Sequence, residues 1–134
     1  MQLFLKSLGA CLIVIFFFAA TLFLMNYLAP LCPQGKVFLL KPPFAKFGSG
    51  FAYVAPSPPS LENLSDSSTS PTRSTYLVCE NGYVLGPAHS IHAEIIGKGK
   101  GRFSHWSEAG FVFSASDNSD PNTNGRTYLA VDSK

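Results

Sequence analysis

Charge is what this chain has least of: Asp, Glu, Lys and Arg make up 13% of its 134 residues, about half the share of an ordinary soluble protein. The deficit is uneven, with no charged residue between Lys6 and Lys36. The net charge is only +2 and no run of Lys and Arg stands out, so the electrostatic footprint of a nucleic-acid-binding protein is missing and no nucleic-acid partner is expected. Cysteine is scarce as well. Cys11, Cys32 and Cys79 lack the paired spacing of a zinc site or of a disulfide framework. The length leaves room for one small domain, and no internal repeat is visible.

What is there in place of charge is a long apolar run. Residues 8–29 read "LGACLIVIFFFAATLFLMNYLA", enough, at about 1.5 Å per helical residue, to cross a hydrocarbon core of about 30 Å. Only a helix satisfies every backbone group of such a segment within lipid. Tyr27 suits the interface, and Pro30 with Pro33 ends the helix. A cleaved signal peptide would have a shorter apolar region and a small-residue cleavage site. "YLAPLC" offers no such pair free of Pro, and "LGAC" precedes the apolar run instead of following it. The expectation is a tail at residues 1–7, a transmembrane helix at 8–29, and a single-pass protein of the cell membrane whose first partner is the bilayer. Lys36, Lys41 and Lys46 after the helix against Lys6 before it favour a cytoplasmic C-terminal side. A lone helix behind so short a tail acts more often as a signal anchor, so an extracytoplasmic domain is expected, where Cys32 and Cys79 are free to oxidise.

The rest of the chain predicts a mainly β fold: a small antiparallel β domain over residues 36–131 with one short helix. "KVFLL" and "GFAYVA" are β-prone runs separated by a stretch rich in Pro and Gly. Residues 56–74, "PSPPSLENLSDSSTSPTRS", have too little apolar surface to offset the entropy of ordering and predict a mobile insertion. "STYLVCE" and "YVLG" flank Asn81-Gly82, the strongest two-residue hairpin signal. "AHSIHAEIIGKG" predicts the short helix, with Ser90 as its N-cap and Gly97 as its stop. "GFVFSAS" predicts a strand paired with "RTYLAV" across the polar run "DNSDPNTNG", and the earlier strands are expected to extend the same sheet.

Several groups of residues invite chemistry. Asp120, Asn122, Asn124 and Gly125 match the first half of an EF-hand calcium loop, but its twelfth position is Val131 where a bidentate Glu belongs. A calcium loop of another kind using Asp117, Asp120, Asn122 and Asn124 is the alternative to a ligand-free connection. In that connection Asp and Asn bond their own backbone, Pro121 fixes φ and Gly125 accepts positive φ. His89, His92 and His105 lack the further Cys or carboxylate at motif spacing that a zinc site requires, so no metal is assigned. "GKGKGR" fails the phosphate-loop pattern. "RFSHW" sets the sole Trp beside Arg and His, the aromatic-plus-polar composition a sugar ring needs, while core packing of Phe103 and Trp106 is the plainer reading. Adjacent Ser104 and His105 are poorly placed as a nucleophile–base pair. The candidate ligand-binding residues are Arg102, His105, Trp106, Asp117, Asn118, Asp120, Asn122, Asn124 and Arg126, with no catalytic residue and no cofactor beyond the calcium alternative.

"SGFAYVAP", "ENGYVLGPAHSIHAEI", "GKGRFSHW" and "FSASDNSDPNTNGRTY" together resemble an uncharacterised bacterial module of the C-terminal parts of glycosyltransferases and other cell-surface polysaccharide proteins. The likeness covers about residues 36–131. It implies a glycan-related setting, brings no catalytic residues with it, and here stands behind an anchor alone. The expected function is a membrane-anchored β module that binds or organises surface carbohydrate without catalysis. Two alternatives are a small glycan-acting enzyme using His89, His92 or His105 with Asp117 or Asp120, and a structural partner of a membrane biosynthetic complex.

Overall fold

The computed structural model describes residues 29–134; the expected transmembrane segment therefore lies almost wholly outside the described residues, and among those described no helix is long and apolar enough to cross a membrane. The unit from Leu31 to Lys134 contains eight strands: β1 (Val37–Leu40), β2 (Ala45–Lys46), β3 (Tyr53–Ala55), β4 (Tyr76–Glu80), β5 (Tyr83–Val84), β6 (Phe103–Trp106), β7 (Gly110–Phe113) and β8 (Tyr128–Asp132). They form two antiparallel four-stranded sheets, one ordered β1-β8-β4-β5 and the other β2-β3-β7-β6.

Alternation along the strands places the core between the sheets. From the first sheet come Leu40, Tyr76, Val78, Tyr128 and Ala130, and from the second Tyr53, Ala55, Phe103, Phe111 and Phe113, all in one buried cluster. Period-two patterning then turns Ser104 and Trp106 to the opposite face of β6 from Phe103 and His105. On that outer face of the second sheet, Ile95 joins Val112 and Ala52 in a smaller apolar cluster.

The Asn81-Gly82 hairpin forms as expected, with φ of 49° and 85° joining β4 to β5. Other expectations are corrected. The described residues contain two short helices, not one: α1 (Pro59–Glu62) and α2 (His92–Gly97). α2 begins after Ile91 without a side-chain cap, because the Ser90 hydroxyl donates instead to the Pro87 carbonyl at 2.8 Å. It runs through Gly97, and positive φ first occurs beyond it, at Gly99. β7 and β8 are not partners: β7 lies between β3 and β6, and β8 between β1 and β4, so the polar run crosses from one sheet to the other. The strands at Val37 and Tyr53 likewise belong to different sheets.

Residues 56–74, expected as a mobile insertion, contain a short helix and an edge bridge. α1 brings Leu61 against the core. Asp66 then forms a parallel bridge with Trp106 on the free edge of β6, its amide donating to the His105 carbonyl at 2.8 Å and its carbonyl accepting from the Ser107 amide at 3.0 Å. The stretch has little apolar surface of its own; it borrows hydrogen-bond partners from a strand edge that would otherwise present unpaired backbone groups. Cys32 and Cys79 are joined by a disulfide, which ties the start of the unit to β4 across 47 residues.

Candidate functional site

Two polar clusters separate the residues singled out in the sequence. In the first, the polar run is engaged with itself and its supports. Asp120 Oδ1 accepts the Asn122 amide at 2.9 Å. Asn122 clasps Phe44, accepting its amide at 2.7 Å and donating to its carbonyl at 3.1 Å. Asn124 Nδ2 donates to the Tyr128 hydroxyl at 2.8 Å while its Oδ1 accepts the Arg126 amide at 3.0 Å. Asn118, at φ 67°, accepts the Lys100 amide and donates to the Lys98 carbonyl. Arg126 bridges Asp117 and the buried Glu80, and the Arg126 guanidinium holds the Asp117 carboxyl well below the usual carboxylate range. Glu80 also accepts the Tyr128 hydroxyl at 2.8 Å and the hydroxyl of Ser116. Burial pushes the Tyr128 phenol up, so it donates and stays neutral. Among the described residues no group of His, Cys, Asp or Glu is arranged to hold a metal ion.

The second cluster surrounds a cleft of about 350 Å³, lined by Asp66, Pro71, His89, Ser90, Ile91, His92, Ser104 and Trp106. Asp66 is wholly buried. Its Oδ1 accepts the Ser74 amide at 2.8 Å, and its Oδ2 lies 2.7 Å from His89 Nδ1. His89 keeps 31% of its side chain exposed and adopts φ 53°, a region uncommon for residues with a Cβ. Behind this pair His105 stacks on Phe111 at 4.1 Å, with Ser57 Oγ 2.9 Å from Nε2 and Ser74 Oγ 2.9 Å from Nδ1. Burial lowers the His105 imidazole to about 4, against the opposing attraction of Asp66. It is therefore neutral near pH 7, a support for the cleft and not part of its surface.

Two buried polar atoms of lining residues have no partner among the described residues: Ser104 Oγ and His92 Nε2. Burial also lowers the His92 pKa, and its ring meets Trp106 edge-on with centroids 5.9 Å apart. Buried polar groups are nearly always hydrogen-bonded, so these two atoms set the cleft wall apart.

Of the candidate ligand-binding residues, only Trp106 lines the cleft, together with His89 and His92 of the enzyme alternative. His105 is buried behind it. Arg102 sits at the other end of β6, Nη1 donating to the Gly99 carbonyl at 3.0 Å and Nε buried without a partner. None of the candidates in the polar run lines the cleft, so Trp106 and that run do not share one concavity. The carboxylate beside a histidine is Asp66, in place of the expected Asp117 or Asp120. Asp66 and Ser74 are not among the sequence candidates, and Ser104 is weighed there only as a nucleophile beside His105; the only sequence signal for Asp66 is an Asp among small hydroxylated residues, which reads equally as linker. No protein-family model, curated protein or solved structure matches this chain.

Proposed function

We propose that this chain is a single-pass membrane protein whose β sandwich, displayed on the extracytoplasmic side, binds neutral carbohydrate of the cell surface in the Trp106 cleft. The observation that carries this reading is the pairing of the sole Trp with the orphaned Ser104 Oγ and His92 Nε2 in one concavity. A flat indole offers an apolar surface for a sugar ring, and unpartnered donors and acceptors suit its hydroxyls. The lining contains no Lys or Arg, which favours a neutral ligand over an acidic sugar. The disulfide Cys32–Cys79 supports export, since such bonds persist in oxidising compartments. The uncharged run at residues 8–29 supports the anchor.

Titration of the detergent-solubilised full chain with neutral trisaccharides of glucose, mannose and N-acetylglucosamine tests the reading. Trp106 is the only indole, so its emission reports the cleft directly. A saturable change with at least one sugar, weakened about tenfold by Ser104→Val, is the expected result. Emission unmoved by every sugar would overturn it.

A further inference from the structure

The cleft holds more than a binding surface needs. Asp66 is wholly buried and both its carboxylate oxygens are engaged, Oδ1 by the Ser74 amide and Oδ2 by His89 Nδ1. That contact fixes the imidazole: the Nδ1 proton faces Asp66, and Nε2 makes no hydrogen bond among the described residues, on a residue that lines the cleft. His89 is held there at φ 53°, an uncommon backbone state of the kind that clusters at functional sites. Ser104 contributes a buried hydroxyl with no partner.

The surroundings narrow the reaction. Glycosidic cleavage uses two carboxyl groups flanking the bond, and the lining supplies one, Asp66, already occupied. Phosphoryl transfer needs cationic charge around the phosphate, and the lining has neither Lys nor Arg. Hydrolysis of a carboxylic ester needs only an oriented base, a water and a donor for the oxyanion.

We propose that the cleft hydrolyses carboxylic esters carried by its carbohydrate ligand, acetyl esters foremost, with His89 as the catalytic base and Asp66 as the positioning residue. The inference rests on the carbohydrate reading above. Water attacks the ester carbonyl as its proton passes to His89 Nε2, and the Ser104 hydroxyl donates to the oxyanion of the tetrahedral intermediate. Collapse breaks the bond between the acyl carbon and the sugar oxygen. That oxygen takes the proton back from Nε2, so one ester and one water yield one carboxylic acid and one free sugar hydroxyl.

The test uses the detergent-solubilised full chain with glucose pentaacetate, following acetate release and, in parallel, Trp106 emission. The unmodified protein is expected to release acetate. His89→Ala should lower kcat by at least about 100-fold while emission still reports binding, and added imidazole should restore part of the rate, which a purely structural role would not allow. Asp66→Asn should lower kcat with KM nearly unchanged. His89→Gln is a further variant should the alanine form fold poorly. Binding without acetate release, or release indifferent to both His89 substitutions, would overturn the esterase inference and leave the binding reading intact. Neither binding nor release would overturn the esterase inference, and the trisaccharide titration above decides the binding reading separately.

Discussion

Residues 117–125 and residues 56–74 are the two most polar stretches of the folded unit, and they are used in opposite ways. Residues 117–125 have the composition of a binding loop, yet their Asp and Asn side chains are bonded to their own backbone, to Phe44, to Tyr128 and to Arg126. Residues 56–74 have the composition of a linker, yet they deliver Asp66 to the lining of the cleft, which also includes Ser104 and His92, whose Oγ and Nε2 have no partner among the described residues. Polarity alone does not mark a site; on the proposed reading, what marks it is polar groups left incomplete within a cleft. If so, changes in the 117–125 region should alter stability and spare the ligand, while Ser104→Val should weaken ligand binding and His89→Ala should slow ester hydrolysis, both sparing stability.

The largest expected effect separates the regions by pH. His105, behind the cleft, is lowered from 6.5 to about 4 by burial, so the unfolded chain takes up this proton first. Its contribution is complete above about pH 6.5 and is lost as pH falls towards 4, a decline of up to about 3 kcal/mol. Denaturant titrations across that window should reveal the decline, and His105→Gln should flatten it. In the polar run, Asp117 is held in the opposite sense by Arg126 and stays ionised throughout the same window.

Arg126→Ala comes next. It leaves the Glu80 carboxylate, 8% exposed, without its counter-charge at 3.2 Å, at an expected cost of about 3 kcal/mol; chemical denaturation reads the loss, and sugar affinity should not move. Asn122→Ala removes both bonds to the Phe44 backbone and should cost about 2 kcal/mol, leaving buried backbone groups unsatisfied. Smallest is Asp120→Asn. An amide oxygen can still accept the Asn122 amide, so melting should shift by less than about 0.5 kcal/mol equivalent. Treatment of the unmodified protein with a chelator should shift it no further. A large response to both would restore a calcium loop and erase the contrast.

Much of this fold could be read locally. The apolar β-prone runs at residues 76–80 and 128–132 and the Asn-Gly turn are short-range signals, and each element appears where its run lies. The self-sufficiency of the polar run was legible for the same reason, because Asx turns such as that at Asp120 depend on neighbours two residues away. Which strands pair is a long-range matter: nothing local says that β8 passes β7 to lie between β1 and β4. Asp66 was hidden for a related reason. Its burial depends on the edge of β6, some forty residues later, and on Ser74 and His89, so its own surroundings in the chain carry no trace of it. Trp106 could be singled out from composition, but its neighbours in the cleft could not.

The central claim is that the ligand enters the Asp66–His89–Trp106 cleft and not the polar run. Amide shift mapping by nuclear magnetic resonance of the isotopically labelled full chain in micelles, titrated with the trisaccharide that moves Trp106 emission, tests it most directly. The account predicts that perturbations concentrate at residues 89–92 and 104–106, with residues 117–125 unmoved. Perturbations centred on 117–125, with the cleft silent, would contradict it.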